Sequence, residues 1–350
     1  MMGYMFDTLP LFAADYSAAA STVREMDGLA IILCPDGCMG NFTRFDDMMW
    51  MDDPGNVLQL ELREMDVIFG DVRITDTFAE RIRDLNPRFT AIINTPVSAL
   101  VGIDTESMAK SMSEKTGIPA ISVRTSGYNT YQDGISGVLE RVLPQLEPNP
   151  SDEAVVGVLG FNCLDNTREE LETVMSEARE GTGCRAVAFP GSEYDDLGLI
   201  RNAKKNILIS SAGLGIARML EKEFGIPYEF YAPAVNGKDG PGDVLIISEQ
   251  IRGNAIREHL AKRGISSDVA TFFTFDPESA SGWDVRIRDE GDVSSLCRDR
   301  HYSAVIGDPL LDNLVGDLRF IPDPHPAISS HLFEDSRHSL TDCSWIENYL

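Results

Sequence analysis

Short apolar runs alternate with stretches of helical period along the chain, and this alternation limits the possible folds more than any other feature. Residues 28–33 (GLAIIL), 89–93 (FTAII) and 154–159 (AVVGVL) have the length and composition of buried strands. Two helical stretches end alike, at residues 117–119 and 225–227, which both read Gly-Ile-Pro. Glycine suits the end of a helix and proline prevents its continuation. The pattern predicts an α/β fold with parallel sheets flanked by helices.

Two segments rich in turn-forming residues divide this pattern. Residues 144–150 contain Pro144, Pro148 and Pro150, and residues 236–242 read NGKDGPG. Such clusters are typical of linkers and turns, and 350 residues suffice for two or three domains. We therefore expect three consecutive Rossmann-like units, over residues 1–150, 151–240 and 241–325.

The remaining tail, residues 326–350, ends with three large apolar side chains, Trp345, Ile346 and Tyr349. Exposed aromatic rings are costly to leave in water. We expect the tail to pack back on the first unit or on a second subunit, and a flexible end is the alternative.

The charge balance excludes several classes of partner. The chain has 30 Lys and Arg against 56 Asp and Glu, a net charge of −26. Such an acidic protein is a poor match for nucleic acid or for an anionic membrane surface. No apolar run approaches the roughly 20 residues that span a bilayer, and no basic segment followed by an apolar one opens the chain. We expect a cytoplasmic location.

The cysteines and histidines do not form a known scaffold or zinc motif. The six cysteines are too few for a disulfide framework in a chain of this length. Four of them are isolated and are expected to be structural thiols: Cys163, Cys184, Cys297 and Cys343. The spacing of His325, His331 and His338 fits neither helical neighbours nor a zinc site, so we expect these side chains to be solvated in the tail.

Residues 33–41 (LCPDGCMGN) form the most informative segment. They directly follow a predicted strand, at the edge where open α/β sheets bind ligands. Gly37 and Gly40 let backbone amides approach an anionic cluster or substrate. The thiols of Cys34 and Cys38 can both reach an iron–sulfur cluster or a metal, although two thiolates are short of a full set. Two half-buried thiols in an ordinary loop, or a redox-active disulfide pair, are the alternatives.

Two further glycine-containing turns follow predicted strands. Residues 210–215 (SSAGLG) open a helix, so their amides could hold an anion, although tight packing of strand against helix also explains the glycines. Residues 307–309 (GDP) are expected to form a turn.

Several motifs, met in the same order, resemble the nitrogenase component 1 family. This family includes nitrogenase α and β subunits, their cofactor-scaffold relatives, and protochlorophyllide, chlorophyllide and nickel-sirohydrochlorin reductases. Its strand running into His-Gly-Pro-x-Gly-Cys corresponds to residues 33–38, with Pro35, Gly37 and Cys38 retained. Its acidic stretch before Phe-Gly-Gly corresponds to residues 64–71 (EMDVIFGD).

The resemblance continues through the second unit and covers about residues 10–325. The family's Ile-Gly-Asp-Asp corresponds to residues 101–104 (VGID), and the helix end at residues 221–228 (EKEFGIPY) is also similar. The second unit opens like the family's, with Gly160, Asn162 and Asp165.

The departures from the family concern its cluster ligands. The first cluster cysteine of the family falls near Ala13 here, the third aligns with Pro96, and the histidine of His-Gly-Pro is Leu33. Residues 207–215, where nitrogenase has a cysteine that holds its active-site cofactor, contain none. Cys38 is the inherited ligand, and Cys34 is an addition.

The family's clusters lie where two related subunits meet around a two-fold axis. If Cys34 and Cys38 of two chains face one another there, four thiolates converge, the number that a 4Fe–4S cluster needs. The resemblance then implies a reductase subunit that pairs with itself or with a paralogous subunit. It would accept electrons from an ATP-hydrolysing, iron–sulfur reductase partner and reduce an unidentified substrate.

This chain has no Gly-x-x-x-x-Gly-Lys-Ser/Thr loop, so we expect it to bind no nucleotide itself. The lost cysteines leave a second function open, that of a non-catalytic scaffold or binding subunit that kept the fold.

Overall fold

The computed structural model describes residues 7–39, 56–69, 72–147, 153–234 and 240–349. These residues form three parallel β-sheets flanked by helices, which confirms the predicted α/β class. Gly40, Pro148 and Pro150 lie outside the described residues, as do residues 235–239.

The first sheet has the strand order β2-β1-β3-β4. Its strands are β1 (Leu29–Cys34), β2 (Val57–Glu61), β3 (Thr90–Asn94) and β4 (Ala120–Val123). The helices around it are α1 (Asp15–Glu25), α2 (Glu64–Phe69), α3 (Asp76–Leu85), α4 (Pro96–Val101), α5 (Thr105–Thr116) and α6 (Tyr131–Val142), followed by a 3-10 turn over Leu143–Gln145. The central strands β1 and β3 are buried along their whole length, as expected for a parallel sheet covered on both faces.

The second sheet has the order β6-β5-β7-β8. Its strands are β5 (Val155–Leu159), β6 (Arg185–Phe189), β7 (Ala203–Leu208) and β8 (Tyr228–Phe230). Its helices are α7 (Arg168–Thr182), α8 (Tyr194–Leu197) and α9 (Leu214–Phe224), with 3-10 turns over Gly198–Asn202 and Ser211–Gly213.

The third sheet has the order β11-β10-β9-β12-β13. Its strands are β9 (Val244–Ile247), β10 (Ser267–Thr271), β11 (Val285–Arg286), β12 (Ala304–Gly307) and β13 (Arg319–Pro322). The helices are α10 (Gln250–Ala261), α11 (Glu290–Asp299) and α12 (Pro326–Ser329), with 3-10 turns over Pro309–Leu314, Glu334–Ser336 and Cys343–Tyr349. Within the described ranges, no helix has the length and apolar character to cross a membrane.

One apolar core joins the three sheets. It includes Ile32 from β1, Leu208 from β7 and Ile247 from β9, all buried. Helices α1 and α6 pack closely beside it, because a Cβ atom placed on Gly134 would lie only 1.9 Å from the carbonyl oxygen of Asp15. The units are therefore parts of one packed body along these surfaces.

The tail packs mainly on the third unit rather than on the first. Cys343 and Ile346 are buried in the same cluster as Leu260 of α10. The tail also contacts the second unit, where Arg337 Nη1 donates to the carbonyl of Cys163 at 2.7 Å. Its link to the first unit includes a hydrogen bond from the Ala13 amide to the Ala327 carbonyl, 2.8 Å long. The tail lies against the third unit because the chain enters it from β13, a strand of the third sheet.

The close approach of α1 and α6 gives a stability prediction. Gly134→Ala should destabilise the fold by roughly 1–3 kcal/mol or more, because the added methyl group meets backbone that cannot move aside. Gly137→Ala, on the same helix, is the control, since its Cβ would make an ordinary 3.6 Å contact with Val123. It should stabilise by about 0.5–1 kcal/mol through helix propensity. Urea unfolding of both variants checks this, and equal midpoints would contradict the described packing.

Candidate functional site

The cysteine loop begins inside the protein and ends at its surface. Cys34 is the last residue of β1 and is completely buried, with its side chain in the same core as Ile32. Cys38 is half-buried beside that core. The turn between them is held by the Cys38 amide, which donates to the Pro35 carbonyl at 3.3 Å. Gly37 has φ of +80°, a conformation that glycine adopts without strain.

The first part of the loop is anchored to β2. The Leu62 amide donates to the Cys34 carbonyl at 3.0 Å, and Gln59 Nε2 donates to the Pro35 carbonyl at 3.0 Å. Burial, and then the neighbouring Cys38, raise the pKa of the Cys34 thiol to about 12. Cys34 would therefore have to lose a proton to become a metal ligand.

The loop that follows β3 lies beside the cysteine loop. Thr95 Oγ1 donates to the Leu33 carbonyl at 2.9 Å, so residues at the carboxyl ends of β1 and β3 are in contact. Pro96, at the place of the family's third cluster cysteine, packs against Gly127 in the loop after β4, where an added Cβ would lie 2.5 Å from Pro96 Cγ. The predicted ligand edge of the sheet is thus assembled from three adjacent loops.

The donor set of one chain is incomplete for a cluster. Among the described residues, no three His, Cys, Asp or Glu side chains are grouped so that they could hold a metal ion. Cys34 and Cys38 supply two thiols, of which Cys38 is accessible from the surface. A 4Fe–4S cluster therefore fits this loop only if a second chain supplies the other ligands.

A second polar site, which the sequence analysis did not identify, lies where the three units meet. Its centre is Asp165, which follows β5 and is almost completely buried. The hydroxyls of Tyr131 and Ser210 donate to its carboxylate, as does Asn162 Nδ2 at 2.9 Å. His325 Nε2 lies 3.2 Å from Asp165 Oδ1. Because Tyr131 begins α6 and His325 follows β13, one carboxylate contacts all three units.

The expectation that the tail histidines are solvated is wrong for His325 and His338. His325 is buried, and its Nδ1 accepts a hydrogen bond from the Ala327 amide at 3.2 Å. In the neutral ring this places the proton on Nε2, the atom facing Asp165. The ring of His338 stacks on Trp345 with centroids 3.8 Å apart. Long-range packing decides both positions, which no local pattern in the sequence indicates.

We call this site, formed by Tyr131, Asn162, Asp165, Ser210 and His325, the central junction. Its groups shift one another's pKa values. Burial alone would raise the pKa of Asp165, but the contact with His325 and the hydroxyls of Ser210 and Tyr131 hold it below its ordinary value. Burial and the negative charge of Asp165 raise the pKa of Tyr131 well above that of a free tyrosine. Asp165 is therefore an ionised acceptor and Tyr131 a neutral donor.

The glycine-rich turn of residues 210–215 serves close packing and not anion binding. A Cβ on Gly213 would lie 2.8 Å from the backbone carbon of Leu159. The hydroxyl of Ser210 donates to Asp165, and that of Ser211 donates to Glu249. Two buried carboxyl groups at the start of α9 leave no place for an anion.

The same turn does not fit the active-site cofactor that the resemblance implies for nitrogenase. Its side chains include no thiol, and its two hydroxyls are already bonded to carboxyl groups of this chain. The side chains of this turn therefore offer no ligand for such a cofactor.

Comparison with known proteins agrees with this architecture. A family model described as nitrogenase component 1 type oxidoreductase matches residues 15–235. The chain belongs to this family. Among curated relatives, the nitrogenase iron-molybdenum cofactor biosynthesis protein NifE of Clostridium pasteurianum is 28% identical over 216 residues, which are 59% of this chain and 46% of the relative. NifE of a Nostoc species is 28% identical over 178 residues, 48% of this chain and 36% of the relative.

This member of the component 1 family thus spans about half the length of the curated relatives it matches. The structure of nitrogenase Cp1 at pH 6.5 is similar with a TM-score of 0.67 and 14% identity, over 93% of this chain and 88% of that chain. Nitrogenase Cp1 at pH 5 gives a TM-score of 0.64 at 13% identity, over 91% of this chain and 85% of that chain. These likenesses show a shared fold.

The central junction gives a prediction that separates its buried tyrosine from one whose hydroxyl lies at the surface. Tyr131→Phe should destabilise the protein by about 1 kcal/mol, because Asp165 loses a donor that water cannot replace. Tyr228→Phe, which removes a hydroxyl that donates to the exposed Glu278 at 2.6 Å, should leave stability nearly unchanged. Thermal unfolding of both variants measures the difference. An unchanged midpoint for Tyr131→Phe would show that the hydrogen bond to Asp165 contributes nothing to folding.

Proposed function

We propose that the chain is a subunit of a nitrogenase-like reductase and that Cys38, together with Cys34, holds a 4Fe–4S cluster where two chains meet. The observation that carries this proposal is the position of Cys38, half-buried at the carboxyl edge of the first sheet among exposed apolar side chains. Membership of the component 1 family supports the same assignment.

The exposed side chains form what we call the apolar edge: Leu11, Met65, Ile68, Phe69, Leu100 and Tyr128. They lie in the segment before α1 and in the segments that follow β2, β3 and β4. Parallel strands end at one edge of their sheet, so the segments that carry these side chains begin at the same edge as the loop that carries Cys38. Helix α2 buries none of its own residues. An exposed apolar surface of this kind is typical of a subunit interface.

A second copy of this chain, or a paralogous subunit, is the proposed occupant of the apolar edge. With two thiols from each of two chains, the interface would offer the four thiolates that a 4Fe–4S cluster takes. The cluster, when bound, supplies one-electron transfer. Here β2 and Gln59 would hold the cysteine loop in place, and the apolar edge would keep water away from the thiolates.

The proposed electron donor is an ATP-hydrolysing, iron–sulfur reductase, a separate protein. This assignment follows from the family and from the absence of a phosphate-binding Lys loop in this sequence. The substrate is proposed only as a reducible small molecule.

A non-catalytic scaffold or binding subunit is the second candidate. Two observations favour it: the central junction is filled by side chains of this chain, and the curated relatives are named as cofactor biosynthesis proteins. The two candidates differ in whether electrons leave the bound cluster for a substrate. A cluster that is reduced by the partner and stays reduced when candidate substrates are added would favour the scaffold.

Iron analysis of cysteine variants tests the proposed ligands. Protein prepared anaerobically with iron and sulfide should be brown and contain both elements. Cys38→Ser should lose most of the iron, because serine oxygen is a poor ligand for a cluster that requires soft thiolate. Cys34→Ser should lose nearly as much if each chain supplies two ligands. Cys184→Ser, at a buried thiol in the second unit, is the control and should retain the cluster.

Wild-type protein that carries no iron, alone or with its partner subunit, would contradict the cluster. Full retention of iron in Cys38→Ser would contradict the assignment of the ligand. In the first case the scaffold becomes the leading function.

The oligomeric state tests the apolar edge separately. Leu100 is 88% exposed, so Leu100→Glu should leave the fold intact and convert the dimer to a monomer. Leu332→Glu, in the tail at 69% exposure, is the matched control and should remain dimeric. Light scattering after size-exclusion chromatography gives the mass. A wild-type monomer, both alone and co-expressed with a paralogous subunit, would rule out the proposed interface.

A further inference from the structure

Glu249 is a buried carboxyl group without a cationic partner. It is the N-cap residue of α10, two residues after the end of β9, and is 1% exposed. Its Oε2 accepts from the Arg252 amide at 2.9 Å, and its Oε1 accepts from the amide of Ser211 at 3.0 Å and from the Ser211 hydroxyl. These partners are neutral groups. Within the part of the chain that the structure describes, Glu249 forms no ion pair with Lys, Arg or His.

Two other buried acids nearby, Asp323 and Asp284, do have cationic partners. Asp323 accepts a two-pronged pair of hydrogen bonds from Arg252, at 3.0 and 2.7 Å. Asp284 pairs with Arg257. Burial of an unpaired ionised carboxylate is far more costly than burial of the neutral acid. Glu249, which has no such partner, therefore gains stability from keeping its proton.

The neighbouring carboxylate adds to this cost. Ser210 donates to Asp165 and the next residue, Ser211, donates to Glu249, so one turn holds both carboxyl groups. Two negative charges held by adjacent residues of one turn repel strongly in a poorly solvated interior. Burial, and then the charge of Asp165, raise the pKa of Glu249 to about 7.

The surrounding charges do not offset an additional negative charge. The titratable and charged groups around Asp165 and Glu249, from every element packed there, are Tyr131, Cys163, Glu170, Arg252, Asp308, Asp323, His325, Arg337, His338 and Cys343. Even when both histidines are protonated, the four cations of this group only balance the acids Asp165, Glu170, Asp308 and Asp323. An ionised Glu249 would leave the junction with an excess of negative charge.

We propose that Glu249 keeps a proton in the folded protein up to neutral pH, and that its loss loosens the contact between the second and third units. Glu249 belongs to the third unit, and both of its contacts at Ser211 belong to the second. Ionisation of Glu249 therefore directly affects a contact between the second and third units. This switch requires no bound cluster and is independent of the proposed reductase function.

The direction of the pH dependence follows from proton linkage. The pKa of Glu249 is 4.5 in the unfolded chain and about 7 in the folded protein, so the folded state binds the proton more tightly. The stabilisation by this proton is complete below the unfolded pKa and is lost as the pH rises through the folded pKa. The protein should unfold more readily at mildly alkaline pH than at mildly acidic pH.

Urea unfolding of the full chain at about pH 6 and about pH 8 tests the switch. The urea concentration at the wild-type midpoint should be lower at the higher pH. For Glu249→Gln it should change much less, because an amide has no proton to lose. Glu258→Gln is the matched control, since Glu258 lies on the same helix, is exposed and pairs with Lys262 at 2.9 Å. Its urea midpoint should decrease with pH by the same amount as that of the wild type.

Two measurements on wild-type protein keep the test decisive if Glu249→Gln fails to fold. Difference infrared spectra should show a protonated carboxyl band that disappears with a midpoint near pH 7. Amide hydrogen exchange over residues 211–213 and at the start of α10 should accelerate, beyond the intrinsic effect of pH, in the same range. An equal pH dependence in wild type and Glu249→Gln, or a folded wild type with no such band at mildly acidic pH, would overturn the proposal.

Discussion

The structure depends on one buried negative charge at the place where its three sheets meet. An ionised carboxylate in a protein interior is tolerated only when donors surround it, and the donors of Asp165 come from different units. Tyr131 arrives on a helix of the first unit and His325 from the end of the third sheet. Separating any one unit from the others would remove some of the side chains that contact Asp165. The need to keep these contacts therefore helps to fix how the units are arranged.

The proposed site lies at the edge of the first sheet and not at this central junction. Hydroxyls and carboxyl groups of this chain occupy the junction, and the turn at residues 210–215 has no thiol for a metal. The edge of the first sheet differs, because it presents a half-buried thiol and several exposed apolar side chains. The half-buried thiol and the exposed apolar side chains are the basis for the proposal that a second chain shares this site.

The sequence predicted local structure well and long-range contacts poorly. The strands predicted at residues 89–93 and 154–159 each begin one residue later, at Thr90 and Val155. The two helical stretches predicted to end at Gly-Ile-Pro do end there, at Thr116 and Phe224. The cysteine loop lies at a strand end as predicted, although Cys34 is the last residue of that strand and is buried rather than part of the loop. The roles of Glu249 and His325 were missed, since their partners lie far away in sequence and no local pattern indicates them.

Native mass spectrometry of anaerobically purified protein tests the central claim, a cluster shared at the apolar edge. The account predicts a particle of two subunits, this chain with itself or with its paralogue, whose excess mass corresponds to one 4Fe–4S unit. That excess should disappear in Cys38→Ser without unfolding of the chains. A monomer that carries the whole cluster, or a dimer that never carries iron under these conditions, would contradict it.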